Sequence, residues 1–176
     1  MIELKAEQPQ DRWEVEALYD LCFAPGREAL SSYRLREGVP AVLGLSQVAR
    51  DEAGILAGAI RFWPVHIAAD PDDADSSRQP ALLLGPVAVH PTHQGEGLGG
   101  ALIRDSLAKA SESGWSRVLL VGDAPYYVRF GFAGLTGVHM PPPTNPDRVL
   151  GLELIEGAWD GVAGHVIRWS GPVTAA

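Results

Sequence analysis

His90-Pro91-Thr92-His93-Gln94-Gly95-Glu96-Gly97-Leu98-Gly99-Gly100 stands between an apolar run, residues 81–89, and a helical pattern that begins at Gly97. Glycines at 95, 97, 99 and 100 leave no side chain to hold a bulky anion away from main-chain N–H groups. A helix start adds unpaired donors and the positive end of a dipole. The stretch reads as a backbone-lined anion site at the mouth of a strand, suited to a phosphorylated ligand.

Working outward, residues 81–89 are nearly all apolar, as in a strand buried on both faces. Gly85-Pro86 interrupts them; proline cannot donate to a ladder, so a bulge or a parting from one neighbour is expected there. Downstream, Leu98, Leu102, Ile103, Leu107 and Ala110 give residues 97–113 the stripe of a helix, which Gly114 stops. Residues 117–121 form a second buried strand, and strand, helix, strand makes a right-handed parallel crossover. Residues 125–130 read as a short helix ended by Gly131, with Phe132 opening the next strand.

The flanks are plainer. A strand is expected at 2–6 and an amphipathic helix at 9–23, with Trp13, Ala17, Leu18 and Leu21 as its apolar face. A second helix is expected at 27–36, and extended runs at 42–49 and 55–67 should pair as antiparallel neighbours. The acidic stretch 70–80 has no apolar period and reads as a solvated loop or a rim attracting a cationic substrate. Residues 149–155 and 165–169 look like closing strands, and no internal repeat is visible.

At 176 residues the chain suits one domain spanning 1–176. With 46% hydrophobic and 20% charged residues it has the balance of a soluble globular domain. A formal charge of −8 opposes a nucleic-acid partner, which needs Lys and Arg to neutralise phosphates. Apolar runs fall short of a membrane span, and Met1 to Lys5 lacks a signal pattern, so a cytoplasmic address with no membrane partner is expected. Cys22 is the only cysteine and reads as a buried, inert thiol. The five histidines lie at no metal-ligand spacing, so no metal is expected.

Three readings of the glycines compete. Gly95-Glu96-Gly97-Leu98-Gly99-Gly100 also fits the G-x-G-x-x-G of dinucleotide folds, with Asp123 as the ribose acid. Against it, five residues separate Val89 from Gly95, where that motif turns at once, and too few βαβ units follow. A Walker loop is excluded because no Gly-Lys-Ser/Thr follows. The third reading is that the glycines serve tight packing alone.

Gln94-x-x-Gly97-x-Gly99, preceded by Val87-Ala88-Val89-His90-Pro91 and followed by Tyr126-Tyr127-Val128-Arg129-Phe130-Gly131-Phe132, resembles the GNAT superfamily of N-acetyltransferases, in its YhbS-like bacterial group. The resemblance implies an α/β domain (α+β mixed sheet) of the acyl-CoA N-acyltransferase fold. Its central sheet would be mostly antiparallel, with one parallel, splayed strand pair and flanking helices. It further implies transfer of an acetyl group from acetyl-CoA to a primary amine, by direct attack in a ternary complex.

Carried onto these positions, the backbone of Val87, Ala88 and Val89 would serve the pantetheine arm, and Gln94, Gly95, Glu96, Gly97, Leu98, Gly99 and Gly100 would hold the diphosphate. Glu96 is tolerated if its side chain points outward. Tyr127, four residues before Gly131, aligns with the family's general acid, and a phenol can protonate a departing thiolate. The alternative is that Tyr126 and Tyr127 only cover the core.

An attacking amine must shed a proton, and Glu28, Glu37 and Glu153 are the carboxylates considered, each also readable as a surface charge. His90 and His93 read as loop-shaping residues. The family's strand-end asparagine is missing, with Asp123 nearby. Most tryptophans are expected in the core, with Trp63 and the tail after Pro143 bordering the acceptor pocket. The acceptor is a small-molecule or peptide amine, and a homodimer is compatible with the reading. The rival reading is a non-catalytic acyl-CoA-binding or sensing module of the same fold.

Overall fold

The computed structural model describes residues 1–172. Its frame is a twisted sheet in the order β1 (Glu3–Ala6), β2 (Gln47–Arg50), β3 (Leu56–Ala68), β4 (Arg78–Val89), β5 (Arg117–Val121), β8 (Val149–Glu153) and β6 (Ala133–Gly134). A short β7 (Val138–His139) pairs with β9 (Gly164–Arg168), which in turn pairs with β3. Strands β2 and β9 thus share one edge of the long β3, and β4 occupies the other.

Helix α3 (Leu98–Glu112) covers one face, where Leu98, Leu102, Ile103, Leu107 and Ala110 meet Ile60, Phe62, Leu82 and Leu84. Helix α1 (Arg12–Cys22) covers part of the other, packing Val15, Leu18 and Tyr19 against Val48, Ala59 and Ala88. Trp13 and Leu21, expected on the buried stripe of α1, are exposed; its inward stripe runs through Val15, Leu18 and Tyr19 instead. Of the tryptophans, Trp115 is buried in the core, whereas Trp13 faces solvent.

Residues 27–36 do not form the expected continuous helix. A 3-10 turn at Arg27–Ala29 gives way at Leu30, in extended conformation, to a single turn, α2 (Ser31–Arg34). The break lets Arg27 and Arg36 both face inward on side-chain partners that periodicity cannot reveal. Strand β2 begins at Gln47, later than expected, and β4 begins at Arg78, inside the stretch expected to be loop. Once β3 extends to Ala68, a hairpin supplies Arg78 to Pro80 with partners, so their polarity does not prevent pairing.

The central irregularity is at Gly85-Pro86. Ile60 faces Val87 and Phe62 faces Leu84, so Arg61 alone opposes the pair. This bulge resets the alternation and keeps Leu84 and Val87 on the same, α3-facing side. The carbonyls it frees are not orphaned: Trp63 Nε1–H donates to Gly85 O at 2.8 Å and the Tyr19 hydroxyl to Pro86 O at 3.1 Å.

Gly164 opens β9 with φ +136°, and a Cβ there would lie 2.1 Å from the backbone oxygen of Ala68. That neighbour is sheet backbone and cannot step aside. Gly164→Ala is expected to lower the midpoint of thermal unfolding by several degrees, consistent with a loss of about 2 kcal/mol or more. Unchanged melting would contradict the β3–β9 register. No helix among the described residues is long and apolar enough to cross a membrane.

Candidate acyl-transfer site

Strands β4 and β5 run parallel but pair only at Leu82 with Val118 and Leu83 with Leu119. Beyond that point they part. His90 N–H donates to Ala57 O, so 57 and 90 form a hydrogen-bonded pair and, by alternation, so do Ala59 and Ala88. The N–H and C=O groups of Val87 and Val89 therefore point to the opposite edge, where β5 has separated. Ala88 is buried beneath α1 and spends its backbone on β3. The Val89 carbonyl accepts from Gln94 Nε2 at 3.1 Å and from the Cys22 thiol at 3.4 Å, leaving its N–H and both polar groups of Val87 for a guest.

At one end of this free edge lies a cavity of about 420 Å³ walled by Val89, His93, Gln94, Gly95, Gly97, Leu98, Gly99, Gly100, Arg104, Tyr126, Arg129 and Phe130. Gly97 caps α3 with φ +78°, a conformation that side-chain-bearing residues resist, and it turns the chain so that the next N–H groups open into the cavity. A Cβ on Gly99 would stand 3.5 Å from the Tyr126 hydroxyl and 3.6 Å from Val89, so a longer side chain would fill the cradle. Glu96 is exposed and does not line the cavity. Two cations that sequence reading missed frame it: Arg104 lies over the Phe130 ring and Arg129 over the Tyr126 ring. They join α3 to the turn at Val128–Phe130, a contact no local pattern announces.

At the other end, inside the V between the strands, is a cavity of about 170 Å³. Leu83, Leu84, Gly85, Pro86 and Val87 form one wall and Leu120, Val121 and Tyr127 the other, with Arg27, Tyr33 and Arg36 closing the mouth. Tyr127 ends α4 (Ala124–Tyr127), whose start Pro125 favours by its fixed φ. Its ring rests edge-on against Phe132 and close over the end of β5; a Cβ on Gly122 would meet that ring at 2.6 Å. Burial is the main cause that pushes the Tyr127 hydroxyl up to about 12, with Tyr126 and Asp123 adding to it. The phenol therefore keeps its proton at neutral pH. Tyr126 points the other way, to the glycine-lined cavity.

A further cavity of about 360 Å³ adjoins the mouth and shares Arg27, Tyr33, Arg36 and Pro86 with it. Glu16, Glu28, Glu37 and Trp63 border it. Both Glu16 oxygens are engaged, one by Arg27 and one by Arg61. Burial disfavours the Glu16 carboxylate, but these bonds outweigh it and hold its pKa below the usual value. Glu37 pairs with Arg168, whereas Glu28 is exposed with no ion pair to a described residue. Glu153 lies elsewhere and accepts from the Gly157 and Trp159 N–H groups. The segment before and after Pro143 supports α2 from behind, through Arg34 to Pro142 O and Ser31 to Thr144, and lines none of these cavities. Cys22 is half-buried, not fully buried as expected, and lines none of them either. Among the described residues no cluster of His, Cys, Asp and Glu is arranged to hold a metal ion.

Comparison with known proteins agrees with this geometry. Residues 44–133 match the family model described as the acetyltransferase (GNAT) domain. The chain is 32% identical over 129 residues to the uncharacterized N-acetyltransferase YhbS of Escherichia coli strain K12, covering 73% of this chain and 72% of that protein. The crystal structure of Escherichia coli YhbS in complex with CoA matches with a TM-score of 0.77 and 28% identity, over 96% of this chain and 89% of that one. A GNAT family acetyltransferase from Brucella melitensis, in complex with acetyl-CoA, matches with a TM-score of 0.62 and 30% identity, over 91% and 99% of the two chains. The mixed sheet with its parted parallel pair at β4 and β5, beside the short parallel pair of β7 and β9, the glycine turn on α3 and these similarities together place the chain in the GNAT acetyltransferase family.

Proposed function

We propose that this chain transfers an acetyl group from acetyl-CoA to a primary amine by direct attack while both substrates are bound. One observation carries the reading: the free edge of β4 at Val87 and Val89 runs from the glycine-lined cavity to the cavity that Tyr127 borders. In this assignment the N–H groups of Leu98, Gly99 and Gly100, with Arg104 and Arg129, hold the diphosphate. Val87 and Val89 satisfy the amides of the pantetheine arm, which brings the thioester into the V.

The chemistry then follows from the groups at hand. The neutral amine forms a C–N bond to the thioester carbon, the carbonyl becomes an oxyanion, and the C–S bond breaks to release a thiolate. The Tyr127 O–H faces the charge that builds on sulfur. With the phenol at about 12 and a thiol near 8.5, full proton transfer is uphill by about 3.5 units, or roughly 5 kcal/mol. Tyr127 therefore stabilises the thiolate by hydrogen bonding; as its proton passes to sulfur, the phenolate oxygen takes up the proton that the cationic nitrogen sheds, leaving a neutral amide, a thiol and the phenol restored. The half-buried Cys22 takes no part as an acyl carrier.

A thiol-release assay with acetyl-CoA against a panel of amines tests the proposal, with amine-dependent release of CoA expected. CoA binding without release for every amine would overturn it in favour of a binding module. The raised Tyr127 pKa adds a sign: the group must stay protonated, so kcat/KM should rise as the amine deprotonates and show no alkaline decline through about pH 10. An ordinary phenol would begin to cut activity near a pH of about 10. An alkaline decline centred at or below that point would contradict the assigned environment of Tyr127.

A further inference from the structure

Four arginines line the cleft beyond Tyr127; Arg12 is exposed to solvent, and Arg27 and Arg61 are fully employed. Arg27 donates to Glu16, Asp20 and the Tyr33 hydroxyl. Arg61 donates to Glu7 and Glu16. Burial disfavours both cations, yet these carboxylates more than offset it and raise their pKa values. Arg36 differs. Its guanidinium forms no ion pair with a described carboxylate, and its buried Nε has no hydrogen-bond partner. It is held instead by aromatic faces, 4.2 Å from the Tyr33 centroid and 5.5 Å from that of Trp63.

Position makes the unpaired charge informative. Arg36 lines both the cavity that Tyr127 borders and the adjoining one, and its terminal nitrogen would lie 3.7 Å from a Cβ on Gly85 in the β4 bulge. Burial is the main cause that lowers its pKa, and Tyr33 and Tyr19 offset only part of it. A half-buried guanidinium with no ion-pair partner costs free energy that an incoming anion recovers, most effectively a planar carboxylate that can accept two N–H bonds. Glu28 and Glu37, at the rim of the same cavity, would repel such an anion unless a cation travelled with it.

The geometry points to an acceptor that carries a carboxylate as well as the amine: an amino-acid-like molecule whose carboxylate pairs with Arg36 while its amine faces the V near Tyr127. This deepens the proposed function and rests on it. Tyr33 and Trp63 act as the stacking supports that keep the Arg36 fork planar and aimed inward. Of the two arginines that line the cavity Tyr127 borders, Arg27 is bonded to Glu16 and Asp20, which leaves Arg36 free to meet substrate.

The test pairs each amino acid in a panel with its carboxamide and its decarboxylated amine, using acetyl-CoA and CoA release as the readout. The acids should be acetylated with kcat/KM about thirtyfold or more above their amides, the worth of a charge-assisted pair. In Arg36→Gln that preference should shrink to within about threefold, and Arg36→Lys should restore part of it. Thermal melting should fall less in Arg36→Gln, which loses only the stacking on Tyr33 and Trp63, than in Arg61→Gln, which leaves Glu7 and Glu16 without their shared cation. Amides used as well as acids, or an acid preference intact in Arg36→Gln, would overturn the inference. If no amine releases CoA, the acetyl-transfer reading fails. Calorimetry of an N-acetylated amino acid against its amide, on the CoA-saturated protein, then reads the carboxylate preference separately, and equal affinities would overturn it.

Discussion

Tyr127→Phe is expected to lower turnover by about a hundredfold or more while leaving CoA affinity unchanged. The substitution removes one oxygen and keeps the ring that packs against Phe132 and over Gly122, so the V and the start of the next strand should stand as before. What disappears is the only donor that the strand ends and α4 place at that wall: Leu120 and Val121 offer no side-chain proton. A structural role alone would predict the opposite pattern, with turnover preserved and melting lowered. Steady-state rates with acetyl-CoA and an accepted amine, beside calorimetry with CoA, separate the two. Native turnover in Tyr127→Phe would remove the hydroxyl from the mechanism. Tyr126→Phe serves as the contrast, since its hydroxyl faces the glycine-lined cavity and should affect CoA affinity before turnover.

Gly99→Leu should weaken CoA binding by about a hundredfold, roughly 3 kcal/mol, through loss of charge-assisted contacts to main-chain donors. Position 99 lies within the first turn of α3 and adopts no left-handed conformation, so the new side chain is compatible with the helix. The side chain would extend past Val89 and the Tyr126 hydroxyl into the cradle. Folding is thereby spared while the anion is shut out. Gly97→Leu would be a poorer probe, because φ +78° adds backbone strain to any steric effect. Calorimetry with CoA reads the result, and circular dichroism checks that α3 persists. Native affinity in Gly99→Leu would mean that the diphosphate does not sit at this turn.

These two experiments rest on residues the sequence itself picks out, and the reason is locality. The glycine turn, the helix it caps and the short helix ending in Tyr127 are each written in contiguous residues, where backbone freedom and period act within a few positions. The helix α3 stripe matches its buried residues for the same reason. Where periodicity is weak the reading slips. Trp13 looks like a core residue of α1 but is exposed, because the sheet face beneath is met by Val15, Leu18 and Tyr19. Residues 27–36 look helical, yet the inward demands of Arg27 and Arg36 break the run at Leu30.

By itself the sequence determined the crossover of β4, α3 and β5, the glycine turn at the start of α3 and the place of the phenol on the short helix after β5, since each depends on neighbours a few residues away. It also marked Gly85-Pro86 as a break in a strand. Only the tertiary structure decided what that break does: it turns Arg61 and Trp63 of β3, Tyr19 of α1 and Arg36 toward one cleft, from positions far apart in the chain. Which arginines are paired and which is free depends on Glu7, Glu16 and Asp20 arriving from separate segments. Charge pairing of that kind is a property of distance and burial, and neither is encoded in spacing along the chain.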